Sequence, residues 1–250
     1  MRERHVGLAL IAGLLMTGTA VRPSRAQGAP AHPAGGTAVA DAAPDSPNVR
    51  GALAGSLKLL FLEHGVRIAA QEKTRRELGG SFFGDYKRSV RMPRTWGDTD
   101  GWVVNYVGHP LHGAAAGFIW ASHDPVTRRA EFGRNSRYWA TRWRAVAWSA
   151  GYSLQFELGP FSEASIGNVG KRPETIGWVD HVMTPLGAFG VIAAEDAVDR
   201  LLLGRLEDRI GHPAARALLR MALNPARSMA NVAMSRPPWH RDTRPLVGRE

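Results

Sequence analysis

The chain contains no cysteine. A disulfide scaffold, a thiolate zinc or iron–sulfur site, a cysteine nucleophile and a lipidated N-terminal cysteine are therefore excluded. Several signatures of chemistry are missing as well. There is no G-x-S-x-G, so a serine hydrolase elbow has no support, and no G-x-x-x-x-G-K, so a nucleotide-binding loop has none either. The H-E-x-x-H spacing of zinc proteases is also absent. Lysine is scarce, with 28 of the 32 basic residues being Arg, a bias that genomic base composition alone can produce.

A comfortable membrane span is lacking too. Residues 102–123 carry no Lys, Arg, Asp or Glu, but Asn105, His109, Pro110 and His112 interrupt them, and polar groups in hydrocarbon must find internal partners. The uncharged stretches 145–156 and 182–194 fall well short of the roughly 20 residues that a span needs.

What is present is a chain of 250 residues, 44% hydrophobic and 22% charged, with 8 Trp, enough to bury the core of one domain. Residues 1–26 read as a signal peptide. Arg2 and Arg4 precede an apolar stretch over 6–20, and Ser24-Arg25-Ala26 offers a small-residue cleavage site before Gln27. Residues 27–50 hold four Pro and no aromatic side chain, and read as a disordered linker. The formal charge is +10. For an exported protein, nucleic acid is not the expected partner; anionic lipid or another envelope component is, unless the basic surface is simply solvated.

Helical spacing of apolar residues predicts a long helix over 52–78, ended by a charged run and Gly79-Gly80, and a loop over 80–101 punctuated by Gly, Pro and Asp. Pro110 suits the first turn of a helix over 110–121. Two further helices are expected over 138–158 and 178–206, and a short apolar run over 214–223. Small residues recur where helices would touch: Gly113 and Gly117, Ala147 and Gly151, Gly187 and Gly190. The fold class is thus mainly α, a compact bundle of about four helices with a disordered N-terminal leader and a loose C-terminal tail. The divisions are 1–26 signal peptide, 27–50 linker, 51–210 helical domain and 211–250 short helix and tail.

The stretch 96–113 (WGDTDGWVVNYVGHPLHG) carries Asn105, Tyr106, Gly108, His109, Pro110 and Gly113 in one tight pattern. It is followed at a distance by Glu157, by Ser165-Ile166, and by Asp180 with Thr184-Pro185 and Glu195. This arrangement resembles an uncharacterised bacterial envelope family, a domain of unknown function with an Asn-Tyr-x-Gly-His-Pro-x-x-Gly motif. The chain departs from that pattern by an insertion over 167–179 and by a longer spacing from Pro185 to Glu195. The resemblance implies an exported, mostly helical envelope protein, and brings no chemistry with it.

His109 and His112 share a helix face at i, i+3, so a neighbouring carboxylate could complete a metal site with them; equally they could belong to a hydrogen-bonded structural network. Glu157 closes an uncharged stretch and Asp180 opens another. If both lie between helices each needs a partner, with Arg142, Arg144, His109, Ser153 and Thr184 available. Two converging carboxyls could also do acid/base work on a glycosidic or ester bond. The candidate site residues are therefore His109, Glu157 and Asp180 for catalysis, His109 and His112 for metal, and Asn105, Gly108, Pro110, Gly113, Gly117, Thr184, Pro185 and Glu195 for structure. No cofactor is expected.

Asn224-Pro-Ala-Arg-Ser228 matches the aquaporin signature by letter. A water channel needs two such half-helices among six spans, so this copy is read as a turn. The leading functional reading is a structural or interaction protein of the envelope. The alternative is an envelope hydrolase or transferase acting on lipid or glycan through His109, Glu157 and Asp180.

Overall fold

The computed structural model describes residues 46–78, 81–166 and 172–246. The expected signal peptide and most of the linker lie outside the described residues. The chain is mainly helical, and among the described residues no sheet forms; a single parallel bridge joins Thr95 to Gly177.

Four long helices make the bundle: α1 (Val49–Ala70), α4 (His109–His123), α6 (Ser136–Leu158) and α8 (Trp178–Val198). Shorter ones complete it: α2 (Glu72–Glu77), α3 (Phe82–Ser89), α5 (Pro125–Arg128), α7 (Glu163–Ile166), α9 (Gly204–Glu207), α10 (Pro213–Leu223) and α11 (Pro225–Ala233). Side-chain caps start several of them. Asn48 accepts from Gly51 N at the head of α1, and Asn135 accepts from Tyr138 N at the head of α6.

The uncharged stretch 102–123 is explained by position. Helix α4 lies in the middle, packed against α1, α6, α8 and α11, so it is buried nearly all round, from Ala114 through Ile119. A helix with neighbours on every side needs no polar face. Leu59 and Leu60 of α1, Tyr152 and Phe156 of α6, Ala188 and Ile192 of α8, and Ala226, Ala230 and Ala233 of α11 close around it.

The structure corrects several expectations. The helix expected over 52–78 is interrupted at Gln71, whose backbone is extended, and resumes as α2. The loop expected over 80–101 contains α3, pinned to the end of α6 by Tyr86, whose hydroxyl donates to Leu158 O at 2.7 Å. Pro110 sits in the first turn of α4, as expected, while helical backbone reaches further back. The chain is already helical from residue 102 and passes through a π-helical turn, Val104–Gly108, in which His109 N donates to Val104 O. The widened turn suits a proline that has no N–H and whose ring would crowd the carbonyl four residues back. Beyond residue 210, α11 contributes Ala226, Ala230 and Ala233 to the core. The expected turn at Asn224 is present, and Pro225 starts α11 directly after it.

After α11 the chain has no helix or strand up to residue 246. It is tied back by Asn231 Nδ2, which donates to Pro238 O at 2.9 Å, and by Arg241 Nε, which donates to Asp199 Oδ1 at 2.9 Å.

Candidate functional site

One seam positions the site. Along the line where α4 meets α8, a Cβ on Gly113 would lie 2.4 Å from Thr184 O, one on Gly117 2.7 Å from Ile192 Cδ1, and one on Gly187 2.5 Å from Pro110 Cγ. At Gly113 the obstacle is backbone, so only glycine allows the approach there, whereas at Gly117 it is the far end of the Ile192 side chain. Gly151 and Gly190, expected to pack in the same way, have nothing within 4 Å of a Cβ. Nothing crowds Gly108 either: a Cβ there would sit 3.8 Å from Val103 O, an ordinary contact.

A loop then docks on the start of α8. Trp178 N donates to Thr95 O at 3.0 Å and Val179 N to Trp96 O at 2.9 Å, satisfying donors that the first turn of a helix leaves open. The docking brings Asp98 close enough to Asp180 to raise its carboxyl, and Asn105 Nδ2 donates to Asp98 Oδ1 at 2.7 Å.

Against this frame His109 of α4, Glu157 of α6 and Asp180 of α8 converge. Each is buried, and one donor atom from each lies within 4.8 Å of the other two. His109 Nε2 is 3.2 Å from Asp180 Oδ1, close but not aligned for a hydrogen bond, and His109 Nδ1 is 3.1 Å from Thr184 Oγ1. Glu157 Oε1 and Asp180 Oδ1 are both buried without a hydrogen-bond partner.

Burial dominates the electrostatics. It pushes the His109 imidazole down to about 3, with His112, Arg67 and His181 acting the same way. It pushes the Asp180 carboxyl up to about 8, reinforced by Asp98, Glu163 and Asp100, and the Glu157 carboxyl well above its ordinary value, reinforced by Glu163 and Asp180. The contact between His109 and Asp180 is therefore one between a neutral ring and a neutral carboxyl near pH 7, not an ion pair.

His112 does not join the three. It turns to Glu63, with Nδ1 3.5 Å from Glu63 Oε2, and lies edge-on to Tyr152 and Phe156. Arg142 and Arg144 are not partners of Glu157 or Asp180. Arg142 Nε donates to Asp196 Oδ2 at 2.7 Å and Arg144 faces Asp124. Arg142 and Glu157 are 15 residues apart on one helix, about 22 Å along its axis, so they serve opposite ends of the bundle. Glu195 is likewise remote from His109; its carboxylate receives Ala226 N and Arg227 N at the start of α11. Ser153 Oγ is buried without a partner, and Pro185 sits inside α8 next to Thr184.

Sequence reasoning missed what α1 contributes. Glu63, His64 and Arg67 all turn inward: Tyr152 donates to Glu63 Oε2 at 2.7 Å, His64 Nε2 pairs with Phe161 O at 2.7 Å, and Arg67 forms an ion pair with Glu163. The available signal was an E-H-x-x-R cluster after the apolar run Leu59–Leu62, with Glu63 and Arg67 on one face at i, i+4.

The assembled centre is one imidazole, two carboxyls and an orienting hydroxyl, enclosed between three helices. Such a set can bind a cation, or exchange protons among its members. No family model, no curated protein and no solved structure matches this chain.

Proposed function

We propose that the protein is an exported, envelope-associated helical protein whose role is structural or one of interaction at a membrane, and that its polar centre serves the architecture rather than turnover. The observation that carries this reading is enclosure: His109, Glu157 and Asp180 are only 7%, 6% and 5% exposed, so among the described residues they face helices rather than a cleft.

Interaction is supported by apolar side chains left outside. Leu53, Leu57 and Phe61 repeat every fourth residue on one exposed face of α1, and Phe161 and Phe82 continue the patch, with ring centroids 6.0 Å apart from Phe61 to Phe161 and from Phe161 to Phe82. Phe83, next to them, is 81% exposed. Contiguous apolar surface of this kind marks places where proteins meet lipid or each other, and the excess of Arg complements anionic head groups. Among the described residues no helix is long and apolar enough to cross a membrane. The resemblance of residues 96–195 to an envelope family points the same way.

The test is fractionation of full-length protein with and without a carbonate wash, joined to mass spectrometry of its N-terminus. Envelope protein that begins near Gln27 and is released by carbonate supports the reading, whereas soluble protein still carrying Met1 overturns it. The alternative, a hydrolase or transferase acting on lipid or glycan, is favoured by one observation only, the convergence of an imidazole on two carboxyls.

A further inference from the structure

We propose that His109, Glu157 and Asp180 form a binding site for a divalent cation of the zinc class, which pins α4, α6 and α8 together from within. The inference goes beyond the cellular role given above and does not depend on where the protein resides.

The donors come one from each of three helices and stand within 4.8 Å of one another. Around an ion with bonds of about 2.1 Å, tetrahedral ligand atoms are about 3.4 Å apart. His109 Nε2 and Asp180 Oδ1 already stand at 3.2 Å, so closure asks only for a small adjustment of Glu157. The second observation is what the carboxyls lack. Glu157 Oε1 and Asp180 Oδ1 are buried with no hydrogen-bond partner, although buried oxygens in folded proteins are almost always paired. A dication would supply the missing partner to both.

Third, the imidazole is set up as a metal ligand. Thr184 Oγ1 engages Nδ1, which fixes the ring and leaves the Nε2 lone pair on the side of the carboxyls, the outer-shell pattern typical of ligating histidines. Asp98, next to Asp180, is itself held by Asn105.

The crowding of acidic groups points the same way. Glu163, Asp98 and Asp100 stand near Glu157 and Asp180 and oppose their ionisation, which a dication in place of their protons would relieve, and Arg67 is already engaged by Glu163. One nitrogen and two oxygen donors suit zinc or its neighbours better than magnesium or calcium, which prefer all-oxygen cages. Three protein donors leave a fourth position for water, and the burial of all three disfavours access by a substrate.

The experiment uses tag-free full-length protein, stripped with a chelator and dialysed, then titrated with Zn2+, Co2+ or Mg2+ by calorimetry, with metal analysis after removal of excess ion. We expect about one Zn2+ per chain, a higher melting temperature on loading, a Co2+ visible spectrum of nitrogen and oxygen coordination, and binding of Mg2+ at least about a hundredfold weaker. Glu157→Gln and Asp180→Asn should each weaken Zn2+ by more than about tenfold, and Thr184→Val, which keeps the shape and removes only the hydroxyl, by about 10- to 100-fold. His109→Ala should lose the stoichiometric ion. Should any variant fail to fold, the 1H NMR spectrum of the Co2+-loaded parent chain decides the matter, because the ring protons of a coordinated imidazole are strongly hyperfine-shifted there. A parent chain that takes up no Zn2+ or Co2+, one that prefers Mg2+, or folded His109→Ala that keeps its ion would each overturn the proposal.

Discussion

The backbone carbonyl of Thr184 lies over Gly113 so closely that a Cβ there would stand 2.4 Å from it, and the hydroxyl of the same Thr184 meets His109 Nδ1 at 3.1 Å. One residue of α8 thus serves packing through its backbone and the polar centre through its side chain. The spacing between α4 and α8, set at Gly113, fixes how far His109 stands from Asp180. A change in helix contact is therefore also a change at the site.

It follows that Gly113→Ala must push α8 away from α4. The expected loss is about 1–3 kcal/mol of unfolding free energy, typical of overpacking, measured by urea denaturation. Gly151→Ala is the control. Its Cβ enters open space, so it should be neutral or stabilising, with a gain of up to about 1 kcal/mol from helix propensity. Equal losses in both variants would show that Gly113 does not set the seam.

These relationships also show how far the sequence could be read. The helices expected over 138–158 and 178–206 were legible from apolar spacing, and the chain is helical over 136–158 and 178–207. The meeting of Glu157 and Asp180 was legible too, since the end of one helix and the start of the next share an end of an up-and-down bundle. The placement of His109 beside them was not, because it depends on the direction in which α4 enters, a tertiary choice with no local signal. The inward turn of Glu63 and Arg67 was hidden for a related reason. A charged pair on an amphipathic helix looks solvated until a neighbour such as Glu163 arrives from a distant part of the chain. The break at Gln71 and the π-helical turn before Pro110 are backbone adjustments that residue type alone does not announce.

Tyr152 and Glu63 illustrate how buried polar groups depend on each other. The tyrosine hydroxyl donates to Glu63 Oε2 at 2.7 Å, while Glu63 Oε1 is already without a partner. Tyr152→Phe strips the carboxylate of its donor and should cost about 1–3 kcal/mol. Adding Glu63→Leu removes the orphaned group, so the double variant should be more stable than Tyr152→Phe alone. Additive losses in a double-mutant cycle would contradict the coupling.

Arg220 and Glu207 form a buried bidentate pair, with Nε to Oε1 at 2.7 Å and Nη2 to Oε2 at 2.8 Å. Arg220 Nη1 also donates to Trp239 O at 3.1 Å, so the pair anchors the segment that follows α11. Arg220→Ala leaves the buried Glu207 carboxylate with Arg244 Nη1, at 3.2 Å from Oε2, as its remaining cationic partner, and should cost up to about 3–5 kcal/mol. Arg220→Met combined with Glu207→Gln removes both charges and should recover a substantial part of that loss. Circular dichroism melts of the three chains decide it, and an undiminished loss in the double variant would locate the cost in packing instead.

Glu195 gives the bundle a dependence on pH whose sign can be worked out. Pro225 has no N–H, and the side chain of Asn224 does not cap α11, so the next two donors take a carboxylate from another helix: Ala226 N to Glu195 Oε1 at 2.7 Å and Arg227 N to Oε2 at 3.0 Å. Those bonds favour the ionised form, as do Arg227 and Arg241, yet burial outweighs them and raises the carboxyl from an ordinary 4.5 to about 7. Between these values the folded chain keeps a proton that the unfolded chain gives up. Stability contributed by Glu195 is therefore present at pH 4.5, falls as pH rises, and levels off above about 7, a total on the order of 3 kcal/mol. Other buried groups are shifted too, His64 downward by burial and Asp180 up to about 8, so the parent profile alone does not isolate the effect. The difference between the parent and Glu195→Gln does isolate it, because every other group is common to both. Urea midpoints at pH 5 and pH 8 should show the parent losing stability relative to the variant as pH rises. Parallel profiles would mean that the two backbone donors and the nearby guanidinium groups hold Glu195 ionised throughout.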